Sequence, residues 1–270
     1  MSHSFDQLAP ILSAKNLTLQ YDSNKIFNIF KKNSPAVRDA SFEIFPGEIV
    51  GIVGESGSGK STLMKAICKL IPIKSGTLTI DGTDVTNFSN RKFLPYRKKI
   101  QIISQDFSET FNPHMNVFQI LSEPLDIHFK YLSRNEKDWK IKTLLTNVGL
   151  SHELISRFPN ELSGGQRQRL SIARGLAVDP ELLICDEIVS ACDVCTQKQI
   201  LDLLLLLNKT KNISILFISH NIAVIAYLCQ NIIVMKDGRI VEIGDTKSVC
   251  NNPQTEYCKL LMSAVPVLTL

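Results

Sequence analysis

Ile49-Val50-Gly51-Ile52-Val53-Gly54-Glu55-Ser56-Gly57-Ser58-Gly59-Lys60-Ser61-Thr62 is the stretch on which the fold of this 270-residue chain turns. Ile49 to Val53 is a short β-branched run with no polar side chain, which predicts a buried strand. Leu63, Ile67 and Leu70 recur at helical spacing behind the turn, which predicts a helix over Ser61 to Leu70. Between them, Gly54 to Ser61 fits G-x-x-x-x-G-K-[ST] in the strand–loop–helix setting that this pattern requires. Glycines are needed because successive backbone N–H groups must turn inward around phosphates, and a Cβ would block some of those conformations. Lys60 adds a point charge for the β- and γ-phosphates, and Ser61 a hydroxyl for Mg²⁺. The helix N-terminus places partial positive charge beneath the anion. Gly54, Glu55, Ser56, Gly57, Ser58, Gly59, Lys60, Ser61 and Thr62 are therefore the expected nucleotide-phosphate site.

Working outward, Ile11 to Tyr21 and Ala36 to Phe45 read as two strands of an antiparallel edge. They are separated by a polar insertion, Asp22 to Ser34, that holds Phe27, Ile29 and Phe30. Thr77 to Ile80 and Ile100 to Ile103 read as further strands, with Asp81-Gly82 as a turn between them. A helical middle region follows from about Phe118 to Phe158, with Glu136, Lys137, Lys140 and Lys142 charging one face. Trp139, Ile141, Leu144, Leu145 and Val148 supply its apolar positions. Leu182 to Cys185 and Ile213 to Ile218 are apolar runs flanking a Leu-rich helix, Thr196 to Leu207. Alternating buried strands and helices imply an α/β fold with a parallel core.

Composition narrows the classes. With 44% hydrophobic and 21% charged residues the chain is a folded globular protein. Its apolar runs fall short of the roughly 20 residues that span a bilayer. Met1 to Pro10 lacks a basic segment followed by an apolar core, so no secretory signal is expected. Seven cysteines, an odd number, several inside apolar runs (Cys68, Cys185, Cys229), read as reduced core residues and point to the cytoplasm. The net charge is +4, and Arg91, Lys92, Arg97, Lys98 and Lys99 concentrate positive charge, either as a solvated face or as a contact with a membrane-proximal partner.

A second motif, Leu162-Ser163-Gly164-Gly165-Gln166-Arg167-Gln168-Arg169, opens a helix with Leu170, Ala173 and Leu176 on its apolar side. Ser163 can cap that helix, and alone the motif would read equally as an ordinary cap. With the phosphate loop upstream, the chain resembles the ABC ATPase superfamily. Its signature segment, here Ser163, Gly164, Gly165 and Gln166, presents donors and a helix N-terminus to the γ-phosphate of ATP held by a partner subunit. The resemblance extends over nearly the whole chain, to Leu182-Leu183-Ile184-Cys185-Asp186-Glu187 as the Walker B strand and to His220.

What the resemblance implies is specific. Asp186 would hold Mg²⁺ through water, Glu187 would act as base on the attacking water, and His220 would touch the γ-phosphate; phosphoryl transfer needs mainly alignment and charge neutralisation. Gln105 matches the Q-loop, which senses metal and water and contacts the transmembrane subunit. Tyr21 matches the aromatic that stacks on adenine, although a plain strand aromatic is the other reading. The fold implied is a P-loop NTPase (RecA-like) parallel core with an antiparallel β edge and a helical ABC-specific subdomain. It forms one domain over residues 1–270, with the helical subdomain over about 118–178 and a C-terminal tail over about 245–270.

Finer resemblance points to the oligopeptide, dipeptide and nickel importer branch. Gln105-Asp106, Phe111-Asn112-Pro113-His114-Met115, Glu123-Pro124-Leu125, Asn252 to Tyr257 and Ser263-Ala264-Val265-Pro266 are similar to that branch's segments, and carry lineage rather than chemistry. The branch usually has Pro at Ile188 and Leu at Cys192, departures that bear on cross-subunit coupling. Cys192-Asp193-Val194-Cys195 is also a C-x-x-C, but the resemblance already accounts for the position by matching Ser190-Ala191-Cys192-Asp193 to the family's D-loop. Cys250 and Cys258 are two of the four thiolates an iron–sulfur cluster needs, so none is expected. The interval from Gly54 to Ser163 leaves no room for the coiled coils of DNA-acting relatives, so no nucleic acid is expected. The resulting expectation is an ATP- and Mg²⁺-dependent subunit, peripheral on the cytoplasmic face of the membrane. Its partners would be two transmembrane permease subunits, a second ATPase subunit (sibling or self) and, indirectly, a solute-binding protein. An exporter ATPase or a regulatory, non-transport ATPase is the alternative.

Overall fold

Strands buried on both faces cannot alternate polar and apolar residues, and the all-apolar run Ile49–Val53 sits between two parallel neighbours. The computed structural model describes residues 9–20, 35–104, 111–129, 131–190 and 192–263. These fall into two units: one takes the described residues up to Tyr96 and from Ser214 onward, the other Arg97 to Ile213.

In unit one, β1 (Leu12–Leu19) pairs antiparallel with β2 (Val37–Ile44) and with β4 (Ser75–Ile80). β4 in turn pairs with the two-residue β5 (Thr83–Asp84), so the order of this sheet is β2-β1-β4-β5. Leu12, Leu17, Leu19, Val37, Ala40 and Ile44 are fully buried beneath it. The expected antiparallel edge is thus present. A second set of strands places β3 (Ile49–Val53) parallel to both β8 (Ser214–Ser219) and β9 (Asn231–Lys236), and β9 antiparallel to β10 (Arg239–Asp245). Every residue of β8 is buried, which explains its continuous apolar run.

α1 (Lys60–Ile67) packs Leu63, Met64, Ala66 and Ile67 inward. It is shorter than its spacing predicts. Cys68 caps it, Lys69 turns left-handed at φ 54°, and Leu70 is 58% exposed beyond the end. Unit one also holds α7 (Ile222–Leu228), α8 (Thr246–Asn251) and α9 (Glu256–Ser263), and α2 (Asn90–Lys99) runs across the division. The apolar pattern does not announce α2, because Phe93 is its only buried side chain and Pro95 interrupts it. The basic cluster lies on this helix and is not uniformly solvated: Lys99 pairs with Glu181 at 3.1 Å, and Lys98 Nζ lies 4.2 Å from the centre of the Phe129 ring.

In unit two, β6 (Ile100–Ile103) runs parallel to β7 (Leu182–Asp186). The helical middle region resolves into α3 (Val117–His128) and α4 (Arg134–Asn147), followed by α5 (Gly164–Leu176) and α6 (Val194–Lys211). Asn116 and Ser133 start α3 and α4 with reciprocal capping boxes, each closed by the residue three positions on, Gln119 and Glu136. Ile141, Leu144, Leu145 and Val148 are buried as their pattern predicts, whereas Trp139 is 67% exposed. Arg174 bonds Glu123 at 2.7 Å and Arg169 donates to the Val148 carbonyl at 2.7 Å, which ties α5 to α3 and to the end of α4. The architecture is α/β, with parallel strands at its core, an antiparallel edge and a helical subdomain.

Gly51 makes the core of unit one testable. A Cβ there would lie 2.6 Å from Ile225 Cγ2 and 3.0 Å from Cys229 Sγ. Gly51→Ala is expected to lower unfolding free energy by about 1–3 kcal/mol through overpacking, measured by denaturant titration.

Candidate functional site

A buried ammonium must find acceptors, and Lys60 is only 5% exposed. Its Nζ donates to the Gly54 carbonyl at 2.7 Å, the Glu55 carbonyl at 2.8 Å and Ser58 Oγ at 3.4 Å. The loop therefore wraps its own cation in backbone oxygen. Gly54 and Gly59 have φ of 156° and 104°. A Cβ on Gly54 would stand 2.1 Å from the Met235 carbonyl oxygen, and one on Gly59 would stand 2.8 Å from that of Ala36. Both positions thus need glycine for space as well as for conformation. The Gly238 N–H donates to the Ser58 carbonyl at 3.1 Å, so the β9–β10 turn braces the loop.

α1 begins directly on Lys60 with Gly59 as its cap and no side chain capping it. That leaves the helix terminus suited to an anion. Glu55, Ser56, Gly57 and Ser61 are exposed at the mouth of the loop, Thr62 is half-buried and Ser58 is buried. His220 directly follows β8 and is exposed. Its neighbour Asn221 fixes the turn, accepting from the Ala223 N–H at 2.9 Å and donating its own N–H to Ser219 Oγ at 3.0 Å.

In unit two, β7 ends on Asp186, and Asp186 and Glu187 are both half-buried. The thiol of Cys185 before them is pushed far above its ordinary range by burial, and the Asp186 charge adds to the shift. Glu187 takes a left-handed backbone at φ 50°, which costs a non-glycine residue about 1–2 kcal/mol. Its carbonyl accepts from the Ser190 N–H at 3.1 Å and from Ser190 Oγ at 2.9 Å. Ile188 and Val189 are buried at 2% and 3% exposure and anchor the turn. Strain held in place in this way is a feature of functional positions.

Ser163 is the cap of α5: its Oγ accepts from the Gln166 N–H at 3.2 Å while Gln166 Oε1 accepts from the Ser163 N–H at 2.9 Å. Nothing lies within 4 Å of a Cβ built on Gly164, and Thr196 Cγ2 is 3.4 Å from one on Gly165. The segment therefore presents an open helix N-terminus. Gln105 and Tyr21 lie outside the described residues, as does the whole insertion over 22–34.

Among the described residues no three His, Cys, Asp or Glu side chains gather to hold a metal. Ser61, exposed on α1 in unit one, offers a hydroxyl oxygen, and Asp186, at the end of β7 in unit two, offers a carboxylate. Oxygen donors of this kind suit Mg²⁺, which keeps several waters and is rarely held by a protein cage. Sequence reasoning missed the brace behind the loop. Its signal was present: Asp237-Gly238 after the apolar run Ile232 to Met235 is a hairpin pattern.

The chain is similar to known proteins in sequence and in fold. A family profile described as "ABC transporter" matches residues 37–190. The oligopeptide transport ATP-binding protein OppF of Haemophilus influenzae is 43% identical over 86% of this chain and 70% of its own length. OppF of Streptococcus mutans is 39% identical over 95% of this chain and 82% of its own. The glutathione import ATP-binding protein GsiA of Pectobacterium atrosepticum is 40% identical over 96% of this chain but 41% of its own length. Among solved structures, the dimeric ATP-binding cassette MJ0796 bound to ADP and Pi superposes with a TM-score of 0.77 at 28% identity, covering 87% of this chain and 98% of that one. The cbiO1 protein of Clostridium perfringens gives a TM-score of 0.78 at 26% identity over 90% and 91% of the two chains.

Ser163→Ala should cost unit two about 0.5–2 kcal/mol through loss of the α5 cap. The check is a shift in denaturant midpoint with unchanged slope.

Proposed function

Because the chain belongs to the ABC transporter family of ATP-binding proteins, we propose that it is the ATP-hydrolysing subunit of an importer whose cargo is oligopeptides or dipeptides. One observation supports the cargo class: relatives named for oligopeptide transport (OppF) and for import of the small peptide glutathione (GsiA) both align over as much as 96% of the chain, well beyond the 37–190 match common to the family.

The roles follow from the chemistry of each residue. On binding ATP, the Lys60 ammonium exchanges its carbonyl partners, Gly54 and Glu55, for phosphate oxygens, and the N–H groups of Gly57, Gly59, Lys60, Ser61 and Thr62 surround the same anion. Ser61 and Asp186 would hold Mg²⁺, which would supply charge neutralisation for phosphoryl transfer. Glu187, fixed by its left-handed turn, orients and deprotonates the attacking water, and His220 donates to the γ-phosphate. Gln105 reports the state of metal and water to the permease, and Tyr21 stacks on adenine. Ser163, Gly164, Gly165 and Gln166 receive the γ-phosphate of a nucleotide bound to a second ATPase subunit. Closure of the two subunits drives the permease, and hydrolysis reopens it.

The chain works in a complex with two permease subunits, a second ATPase and, through the permease, a solute-binding protein. It sits peripherally on the cytoplasmic face. Among the described residues no helix is long and apolar enough to cross a membrane.

Glu187→Gln is expected to keep ATP binding and to slow turnover about 10²–10⁴-fold. Purified from native membranes with ATP, the same variant should retain permease subunits and a second ATPase. Recovery of soluble proteins alone would withdraw the transport reading. Lys60→Ala should weaken ATP binding about ten- to a hundredfold, read by calorimetric titration, and an unchanged affinity would contradict the phosphate-loop assignment.

A further inference from the structure

The C-terminal segment reaches the phosphate loop at one point. The backbone N–H of Glu55 donates to Tyr257 Oη at 3.2 Å. The carbonyl of the same residue accepts from Lys60 Nζ at 2.8 Å, so Glu55 is held on both sides of its Cα, by the tail and by the loop's own cation. The Tyr257 ring is fixed in turn by Lys236, whose Nζ lies 4.7 Å from the ring centre. Lys236 ends β9, and two residues later Gly238 holds the Ser58 carbonyl. The first half of the loop is thus gripped by Tyr257 and the second by the β9–β10 turn.

Tyr257 is itself well placed to resist movement. Glu242 on β10 accepts from the Gln254 N–H at 3.0 Å, and from the Thr255 N–H and Oγ1, each at 3.1 Å. This staples the approach to α9. Cys258, next to Tyr257, is fully buried, and burial together with its bond to Glu242 raises the thiol to about 11. Displacing the tyrosine would disturb this anchor as well as the ring contact.

We infer that Tyr257 is a positioning residue for ATP. Its hydroxyl holds the Glu55 backbone in the conformation that aims the following N–H groups inward, which lowers the ordering cost of nucleotide binding without touching the reacting atoms. The inference rests on the reading of Gly54 to Thr62 as the ATP loop. It gives a function to the segment Asn252 to Tyr257, to which the phosphoryl-transfer roles above assign no residue.

The test is Tyr257→Phe in the full chain, which keeps the ring beneath Lys236 and removes only the acceptor. Calorimetric titration with Mg-ATP should show about two- to tenfold weaker binding. Steady-state ATPase should show KM raised by a similar factor at unchanged kcat. Leu260→Ala, an exposed change on the same helix, should leave both constants at parent values. Equal ATP affinity in Tyr257→Phe and parent overturns the inference and leaves the ATP-loop reading standing, as does a fall in kcat at constant KM. A parent chain that fails to bind ATP overturns both.

Discussion

A cation buried in a loop of main chain is the constraint on which the rest of the structure depends. Lys60 is nearly inaccessible, and the carbonyl groups of Gly54 and Glu55 accept from its ammonium. Carbonyl dipoles in a low-dielectric loop stabilise the charge while leaving its donors exchangeable for phosphate oxygens. Such an arrangement requires the loop to keep its shape before nucleotide arrives. Its shape comes from backbone neighbours: Met235 against Gly54, Ala36 against Gly59, and Gly238 on Ser58. β3 is flanked by β8 and β9, so the strand that delivers the loop and the hairpin that braces it belong to one set of hydrogen-bonded strands.

Unit two carries its own version of the same economy. Glu187 follows β7, which is apolar and buried from Leu182 to Cys185 and ends on the half-buried Asp186, and an extended residue there would prolong the strand. The left-handed turn at Glu187 instead breaks the strand direction at that residue, and the two Ser190 bonds to its carbonyl keep it broken. Ile188 and Val189 then enter the core. Their burial contributes about 1.5–3 kcal/mol each, enough to offset the strain at Glu187.

Much of this was legible in the sequence, and the reasons are physical. Strands buried on both faces must be largely apolar, so the runs Ile49 to Val53 of β3, Leu182 to Cys185 of β7 and Ile215 to Ile218 of β8 are unmistakable. The phosphate loop and the α5 cap announce themselves because each demands particular residue types at fixed offsets. α2 was illegible because it buries a single side chain and contains a proline. The end of α1 was misjudged for a related reason: Leu70 keeps helical spacing although the chain has already turned away. Trp139 keeps the spacing of a core residue on α4 and is nevertheless exposed. Periodicity records where a side chain could point, not what covers it.

The contacts that shape the phosphate loop were illegible for a different reason. Met235, Ala36 and Gly238 act through their main chains, and a carbonyl or N–H is the same whatever the side chain. Only the glycines opposite them leave a mark, and a glycine that is required for space reads the same as one required for φ. The departure at Ile188 illustrates the converse. Its side chain is buried at 2% exposure, so the position asks first for an apolar group of fitting size, and isoleucine supplies it. A proline there would contribute a fixed φ and no N–H. The left-handed residue before it and the Ser190 bonds already fix the direction of the turn, so the backbone does not depend on proline to hold Glu187 in place.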